Sequence, residues 1–116
     1  MFWGKLASVN LYGCDHSLLQ SKDGIRKYLV GLCKVIKMKR MGEPIIKKFG
    51  EGNLEGYSAM QFIETSSVTL HLDDKMGDRA FIDIFSCKDF SAKEAEKFSK
   101  DFFKAKKSKM KVFIRK

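Results

Sequence analysis

The sequence has little of what marks disordered, fibrous or membrane-spanning chains. Its 116 residues include one proline and nine glycines, which excludes low-complexity and collagen-like classes. Hydrophobic residues make up 44%, too many for a disordered chain. No apolar run approaches the roughly 20 residues that a membrane-spanning helix needs. The first residues also lack the charged lead and long apolar core of a signal peptide. These features predict one cytoplasmic domain over residues 1–116.

The chain is also poor in metal ligands and in possible disulfide partners. Its cysteines and histidines are Cys14, Cys33, Cys87, His16 and His71. An odd number of widely spaced cysteines does not form a disulfide framework, and no pair among these five residues has zinc-ligand spacing. We therefore expect no bound metal. The cysteines are expected to pack as small apolar residues unless a base lies beside them.

The net charge of +9 is concentrated in two segments. Residues 104–116 carry seven basic and no acidic side chains, and residues 34–48 carry six basic and one acidic. The other 88 residues sum to −3. Two interpretations are open: solvated edges that favour solubility, or a nucleic-acid surface built from these lysines and exposed aromatics such as Phe113. We favour the first, because most of the ten phenylalanines follow core periodicities.

The apolar patterns predict an α+β fold. We expect strands over residues 6–12, 35–41, 45–49, 57–63, 68–72 and 79–87, and a last strand in which Met110, Val112 and Ile114 alternate with Lys111, Phe113 and Arg115. One amphipathic helix is expected over residues 17–35. A second begins at Ser91, which forms a capping box with Glu94, and its buried stripe is Ala95, Phe98, Phe102 and Ala105. Few helices and mostly consecutive strands predict a two-layer sandwich, an antiparallel sheet covered on one face by two helices.

The opposite face of this sheet is not wholly polar. We expect it to carry Phe81 and Phe85, facing Tyr57 and Phe62. A small sheet with an apolar second face needs a cover. The simplest cover is a second copy of the chain, so we predict a homodimer that packs sheet against sheet.

Reactive side chains are concentrated in residues 58–71. This segment holds several hydroxyl groups and His71, the only histidine in a predicted strand. A serine hydrolase would need a nucleophile elbow or a buried aspartate in triad order, and neither pattern occurs. From the pattern alone, hydroxyl groups at a strand end are typical of local hydrogen bonding, and a lone strand histidine is typical of a satisfied polar residue.

Three stretches of the chain resemble one family. They are Leu11-Tyr12-Gly13-Cys14-Asp15, the segment 58–71, and Phe81-Ile82-Asp83-Ile84-Phe85-Ser86-Cys87. Their order and separations, over roughly the whole chain, are similar to those of the short bacterial and archaeal pyruvoyl-dependent S-adenosylmethionine decarboxylases. In that family one serine lies eight residues before the cleavage-site serine and a histidine lies five residues after it. The matching Ser58 and His71 both indicate Ser66.

The resemblance implies a zymogen that makes its own prosthetic group. The chain would cut itself between Thr65 and Ser66, and Ser66 would become a pyruvoyl group at the N-terminus of the C-terminal fragment. This group would form a Schiff base with the amino group of S-adenosylmethionine and serve as the electron sink for decarboxylation, in polyamine (spermidine) biosynthesis. By the same resemblance, Ser58 and His71 would assist processing, and Cys87 would be the proton donor to the decarboxylated substrate.

The chain departs from the family pattern at three places. Thr65-Ser66-Ser67 stands where the family has Glu-Ser-His, Leu72-Asp73-Asp74-Lys75 stands for Thr-Trp-Pro-Glu, and Asn10 takes the place of a glutamate. Fewer carboxylates weaken the fit to a cationic sulfonium substrate. An alternative therefore stays open: a divergent homologue that remains unprocessed, with another amine or amino-acid substrate or a non-catalytic partner role.

Overall fold

Alternating apolar residues build one six-stranded antiparallel sheet. In the computed structural model, which describes residues 2–116, the strands are β1 (Gly4–Tyr12), β2 (Ile45–Phe49), β3 (Gly56–Ile63), β4 (Ser66–Asp73), β5 (Arg79–Ser86) and β6 (Lys107–Arg115). Their order across the sheet is β2-β3-β4-β5-β1-β6. The helices are α1 (His16–Leu19), α2 (Lys22–Val35) and α3 (Ala92–Phe102), with a 3-10 turn at Gly52–Leu54. The predicted α+β two-layer sandwich is confirmed.

The core lies between α2, α3 and one face of the sheet. Every second residue of the central strands is buried there: Ala7, Val9, Leu11, Val68, Leu70, Leu72, Ala80, Ile82 and Ile84. From α2, Tyr28, Leu29 and Leu32 meet this face with no exposed surface. Burying one such side chain stabilises the fold by about 1.5–3 kcal/mol. The predicted stripe of α3 is buried or half-buried, and Phe103, which the stripe did not include, is fully buried beside it.

The single helix predicted over residues 17–35 is wrong, because two local caps divide it. Asp15 accepts a hydrogen bond from the Leu18 N–H at 3.2 Å and begins the one-turn helix α1. Ser21 accepts from the Gly24 N–H at 2.9 Å and begins α2. Such side-chain caps satisfy amides that have no helical partner, so each starts a new helix. Ser91 caps α3 in the same way, accepting from the Glu94 N–H at 3.1 Å.

The strand predicted over residues 35–41 is also wrong. Helix α2 continues to Val35, and Lys37 then turns the chain with a φ of 59°. Ile36 and Met38 are both buried, so their spacing imitates the alternation of a strand. Only an isolated bridge from Arg40 to Ile63 joins this segment to the sheet. The segment therefore passes beside the connection between β3 and β4.

A buried hydroxyl pair joins the two long helices and gives a test of the packing. The hydroxyl groups of Tyr28 and Ser99 lie 2.6 Å apart, and Ser99 also donates to the Ala95 carbonyl at 2.7 Å. Replacing Ser99 with alanine leaves the buried tyrosine hydroxyl without a partner, so the free energy of unfolding should fall by about 1–3 kcal/mol. Tyr28→Phe should cost less, because Ser99 keeps its carbonyl partner. Urea unfolding of both variants measures the difference, and an equal loss would contradict this account.

The second face of the sheet is uncovered among residues 2–116. It carries exposed apolar side chains at Ile45, Phe49, Met60, Phe62 and Phe113. Tyr57 was predicted on this face, but its position in β3 alternates with Phe62, and it packs against the core on the covered face. The predicted apolar character of the second face is otherwise confirmed.

Both edges of the sheet carry exposed lysines. The outer strand β6 presents Lys107, Lys109 and Lys111, and the opposite outer strand β2 presents Lys47 and Lys48. Each outer strand has one row of backbone groups without a neighbouring strand, and lysines are common at such edges. No helix among residues 2–116 is long and apolar enough to cross a membrane.

Candidate functional site

Ser58 and His71 form a cross-strand pair on the uncovered face. The antiparallel register of β3 and β4 places the two residues directly opposite each other. Ser58 Oγ lies 2.8 Å from His71 Nδ1. The pair lines a groove of about 320 Å³ whose other walls include Ile45, Phe49 and Met60. The serine and histidine predicted from the sequence are therefore one hydrogen-bonded unit in an apolar setting.

Thr65 and Ser66 lie where β3 turns into β4. Ile63 pairs with Ser66, so only Glu64 and Thr65 link the strands. Ser66 has a φ of +153°, a value outside the range that residues with a Cβ normally adopt. The turn is held from both sides: the Glu64 N–H donates to the Lys39 carbonyl at 2.9 Å, and the Thr65 carbonyl accepts from the Cys87 N–H at 3.0 Å. The bond predicted to break thus lies at a constrained turn.

Cys87 is the exposed cysteine of the three. It follows β5 directly, and its amide contacts the Thr65 carbonyl, so it lies beside the predicted cleavage point. Cys14 and Cys33 are buried, and burial raises the pKa of each thiol to about 11. These two residues are protonated core residues at neutral pH, as the sequence predicted for cysteines without a nearby base.

The structure does not bring the two halves of the predicted site together within one chain. His71 lies five residues along β4 from Ser66. At about 3.3 Å per residue, the Ser58–His71 pair is roughly 16 Å from Ser66. Within the chain, Ser66 is close to Cys87, and Ser58 is close to His71, but neither pair touches the other.

A second groove lies at the Ser66 end of the uncovered face. It has a volume of about 480 Å³, and its walls are Trp3, Leu6, Ser67, Thr69, Asp83, Phe85 and Arg115. The rings of Trp3 and Phe85 are stacked with centroids 6.1 Å apart, and the Arg115 guanidinium lies 4.6 Å from the Phe85 centroid. The groove therefore combines flat aromatic surface with one carboxylate, that of Asp83, and one guanidinium, that of Arg115. Reasoning from the sequence missed Trp3 and Arg115, because both come from the ends of the chain and meet only through the strand order.

Reasoning from the sequence also missed a buried contact behind the turn. Thr65 Oγ1 lies 2.7 Å from Ser86 Oγ, and both hydroxyls approach the Met38 sulfur. The available signal was the position of Ser86 immediately before Cys87 in the third matched stretch. Among residues 2–116 no group of three or more His, Cys, Asp and Glu side chains is arranged to hold a metal ion.

Comparison with known proteins gives three related results. Residues 5–116 match the family model described as S-adenosylmethionine decarboxylase. Two curated sequences from strains of Clostridium kluyveri, each named S-adenosylmethionine decarboxylase proenzyme, are 30% identical over 86 residues, or 74% of this chain. The chain spans 64% of the length of these relatives. The crystal structure of the adenosylmethionine decarboxylase from Aquifex aeolicus has the same fold, with a TM-score of 0.83 at 21% identity, covering 98% of this chain and 91% of that one.

Proposed function

Since the chain belongs to the S-adenosylmethionine decarboxylase family, we propose that it is a self-processing, pyruvoyl-dependent decarboxylase of S-adenosylmethionine that serves polyamine biosynthesis. The observation that carries this proposal is the constrained turn at Thr65 and Ser66, with its carbonyl bound to the Cys87 amide. A hydroxyl next to a peptide bond in a constrained turn and an N–H donor on the carbonyl favour self-cleavage of that bond.

The side chains at the turn fit the formation of a pyruvoyl group. Ser66 Oγ attacks the Thr65 carbonyl carbon, the Thr65–Ser66 C–N bond breaks, and an ester joins the two parts. The Cys87 N–H, 3.0 Å from the carbonyl oxygen, stabilises the negative charge that develops there. Removal of the Ser66 α-proton then expels the Thr65 carboxylate and leaves dehydroalanine. Water replaces its nitrogen, ammonia leaves, and the pyruvoyl group remains.

The groove beside the turn fits a cationic adenosyl substrate. Once formed, the pyruvoyl group supplies an electrophilic carbonyl that holds the substrate amine and accepts electrons as carbon dioxide leaves. Trp3 and Phe85 offer aromatic surface for the adenine ring, and the exposed Asp83 carboxylate attracts the sulfonium charge. Asp83 belongs to the third stretch that resembles the family, and the Arg115 guanidinium in the same groove opposes part of its attraction for a cation. The exposed Cys87 thiol, on the residue whose amide binds the Thr65 carbonyl, is the proposed donor of a proton to the substrate carbon.

A sheet-packed homodimer completes the site. A two-fold axis between the sheets that runs across the strands places the Ser58–His71 end of one sheet opposite the Ser66 end of its partner. Packing the exposed apolar side chains of both faces also removes them from water. We expect light scattering at micromolar concentration to give twice the mass of one chain. A stable monomer would contradict the dimer and leave the two halves of the site apart.

Cys87 is expected to act in turnover and not in the first bond cleavage. Cys87→Ala keeps the backbone N–H that holds the Thr65 carbonyl, so the chain should still be cut. Turnover should fall on the order of 10²-fold or more, the usual effect of losing a positioned proton donor. Steady-state release of carbon dioxide measures this loss. Cys14→Ala and Cys33→Ala are the matched controls, and full activity of Cys87→Ala would remove this thiol from the site.

The decisive experiment for the function measures the intact mass of the chain and its decarboxylase activity in the same sample. Purified protein is incubated with S-adenosylmethionine labelled at its carboxyl carbon, while intact mass spectrometry follows the chain. We expect labelled carbon dioxide together with fragments 1–65 and 66–116, the second with a blocked N-terminus. If labelled carbon dioxide is released only in a parallel incubation with a different carboxyl-labelled amino acid, that amino acid is the substrate. An uncut chain with no release would support a non-catalytic role.

A further inference from the structure

The hydroxyl of Thr65 belongs to a hydrogen-bond network behind the predicted cleavage point, half-buried at Thr65 and fully buried at Ser86. Thr65 Oγ1 and Ser86 Oγ are 2.7 Å apart, and Ser86 has no exposed surface. The Lys88 N–H donates to Ser86 Oγ at 3.0 Å, and the Met38 sulfur lies 3.4 Å and 3.7 Å from the two hydroxyls. The network satisfies both hydroxyl groups in a setting where an unpartnered one is costly.

Two hydrogen bonds from the end of β5 hold Thr65, one at its side chain and one at its backbone. Ser86 holds the Thr65 side chain, and the adjacent Cys87 N–H holds the Thr65 carbonyl. Two attachment points fix the rotation of the peptide plane, which one hydrogen bond alone does not. Ser86 also lies directly opposite Ser66 in the register of β4 and β5. The acyl half of the scissile bond is therefore fixed relative to the residue that attacks it.

We propose that Ser86 is a positioning residue for self-cleavage, acting through the hydroxyl of Thr65 to keep the scissile carbonyl on the Cys87 amide. This inference rests on the proposed function and adds a role for the residue before the cleaved bond. Where the resembled family has glutamate, this chain has a threonine whose side chain faces a buried partner. A displacement of the carbonyl by about 1 Å is enough to slow a reaction on the order of 10²-fold.

Paired variants test the role of this contact. Thr65→Val keeps the shape of the side chain and removes its hydroxyl, and Ser86→Ala removes the partner. Each should slow the loss of full-length chain at least tenfold, and the double variant should be no slower than the worse single one, because both remove one contact. Thr65→Ser keeps the hydroxyl and removes the branch at Cβ, so it should cleave at least as fast as the wild-type chain. Rates unchanged in Thr65→Val and Ser86→Ala would overturn the proposal.

A control separates positioning from stability. Ser99→Ala breaks the other buried hydroxyl pair, with Tyr28, far from the turn, and should lower the melting temperature without slowing cleavage. If Ser99→Ala slows cleavage as much as Ser86→Ala does, the effect is one of stability and the proposal is wrong.

A second readout needs no cleavage at all. In a Ser66→Ala background, which cannot be cut, hydrogen exchange of the Cys87 amide reports whether the Thr65 carbonyl stays in place. Adding Ser86→Ala or Thr65→Val should speed this exchange at least tenfold, and adding Ser99→Ala should leave it within twofold after correction for stability. Unchanged exchange would overturn the positioning role. A wild-type chain that never cleaves would instead overturn the proposed function, so the two failures are distinguishable.

Discussion

Ser66→Ala should yield only one polypeptide, of about the full mass of 13.3 kDa, under conditions in which the wild-type chain is cut. The variant lacks the hydroxyl that attacks the Thr65 carbonyl, so the ester should not form. Activity on S-adenosylmethionine should fall to background, because the carbonyl that holds the substrate is never made. Intact mass spectrometry and carbon dioxide release measure both losses in the same preparation.

Ser67→Ala is the matched control for this experiment. Ser67 is the neighbouring hydroxyl, and it lines the groove on the uncovered face. Its removal should leave the cut between Thr65 and Ser66 in place. Wild-type cleavage itself should be slow, since Thr65 is branched at Cβ and brings no carboxylate. If Ser66→Ala is still cut while Ser67→Ala is not, the assignment is displaced by one residue.

Mixed dimers should be cut faster than either parent variant alone. His71→Ala alone should cut on the order of 10²–10⁴-fold more slowly, as expected for loss of a proton-transfer group. A dimer with one His71→Ala chain and one Ser66→Ala chain contains one complete site, built from Ser66 of the first and His71 of the second. Co-expression should therefore restore cleavage of the His71→Ala chain only. Different affinity tags on the two chains make the fragments assignable by mass.

The roughly 16 Å between Ser66 and His71 in one chain is the reason for this expectation. Ser58→Ala should behave like His71→Ala in the mixed dimer, because the two residues form one hydrogen-bonded pair. As a control, one chain carrying both Ser66→Ala and His71→Ala should rescue nothing when it is co-expressed with His71→Ala. Failure of all mixed dimers to cleave would place the whole reaction within one protomer.

Local patterns in the sequence predicted most of the fold. Strand alternation is a property of neighbouring residues, and the strands β3, β4 and β5 lie within one or two residues of the predicted bounds. Errors occurred where a tertiary contact or a cap decides the structure. Ser21 starts a new helix where periodicity continues, and Ile36 and Met38 are buried by the turn at Lys37. Hydrophobic spacing does not distinguish these cases from a continuous helix or a strand.

The site was only half predictable for a related reason. Spacing from Ser58 and His71 indicated Ser66, but the number of residues between two positions does not give the distance between them in the fold. The separation of the two groups follows from the extended path of β4. The contact of Thr65 with Ser86 depends on the register between β4 and β5, together with the conformation of a two-residue turn. No local pattern encodes either one.

The lysines on both edge strands decide how large an assembly of this sheet can become. A further strand added beside β6 or β2 would bring a lysine-rich strand against another one, and like charges at strand spacing repel. Growth in the plane of the sheet is therefore blocked in both directions. Attraction remains only through the apolar face, which one partner would cover in the proposed dimer. The edge lysines therefore favour an assembly that stops at the proposed two copies over extension into a fibril, and added salt, which screens the lysines, weakens that protection.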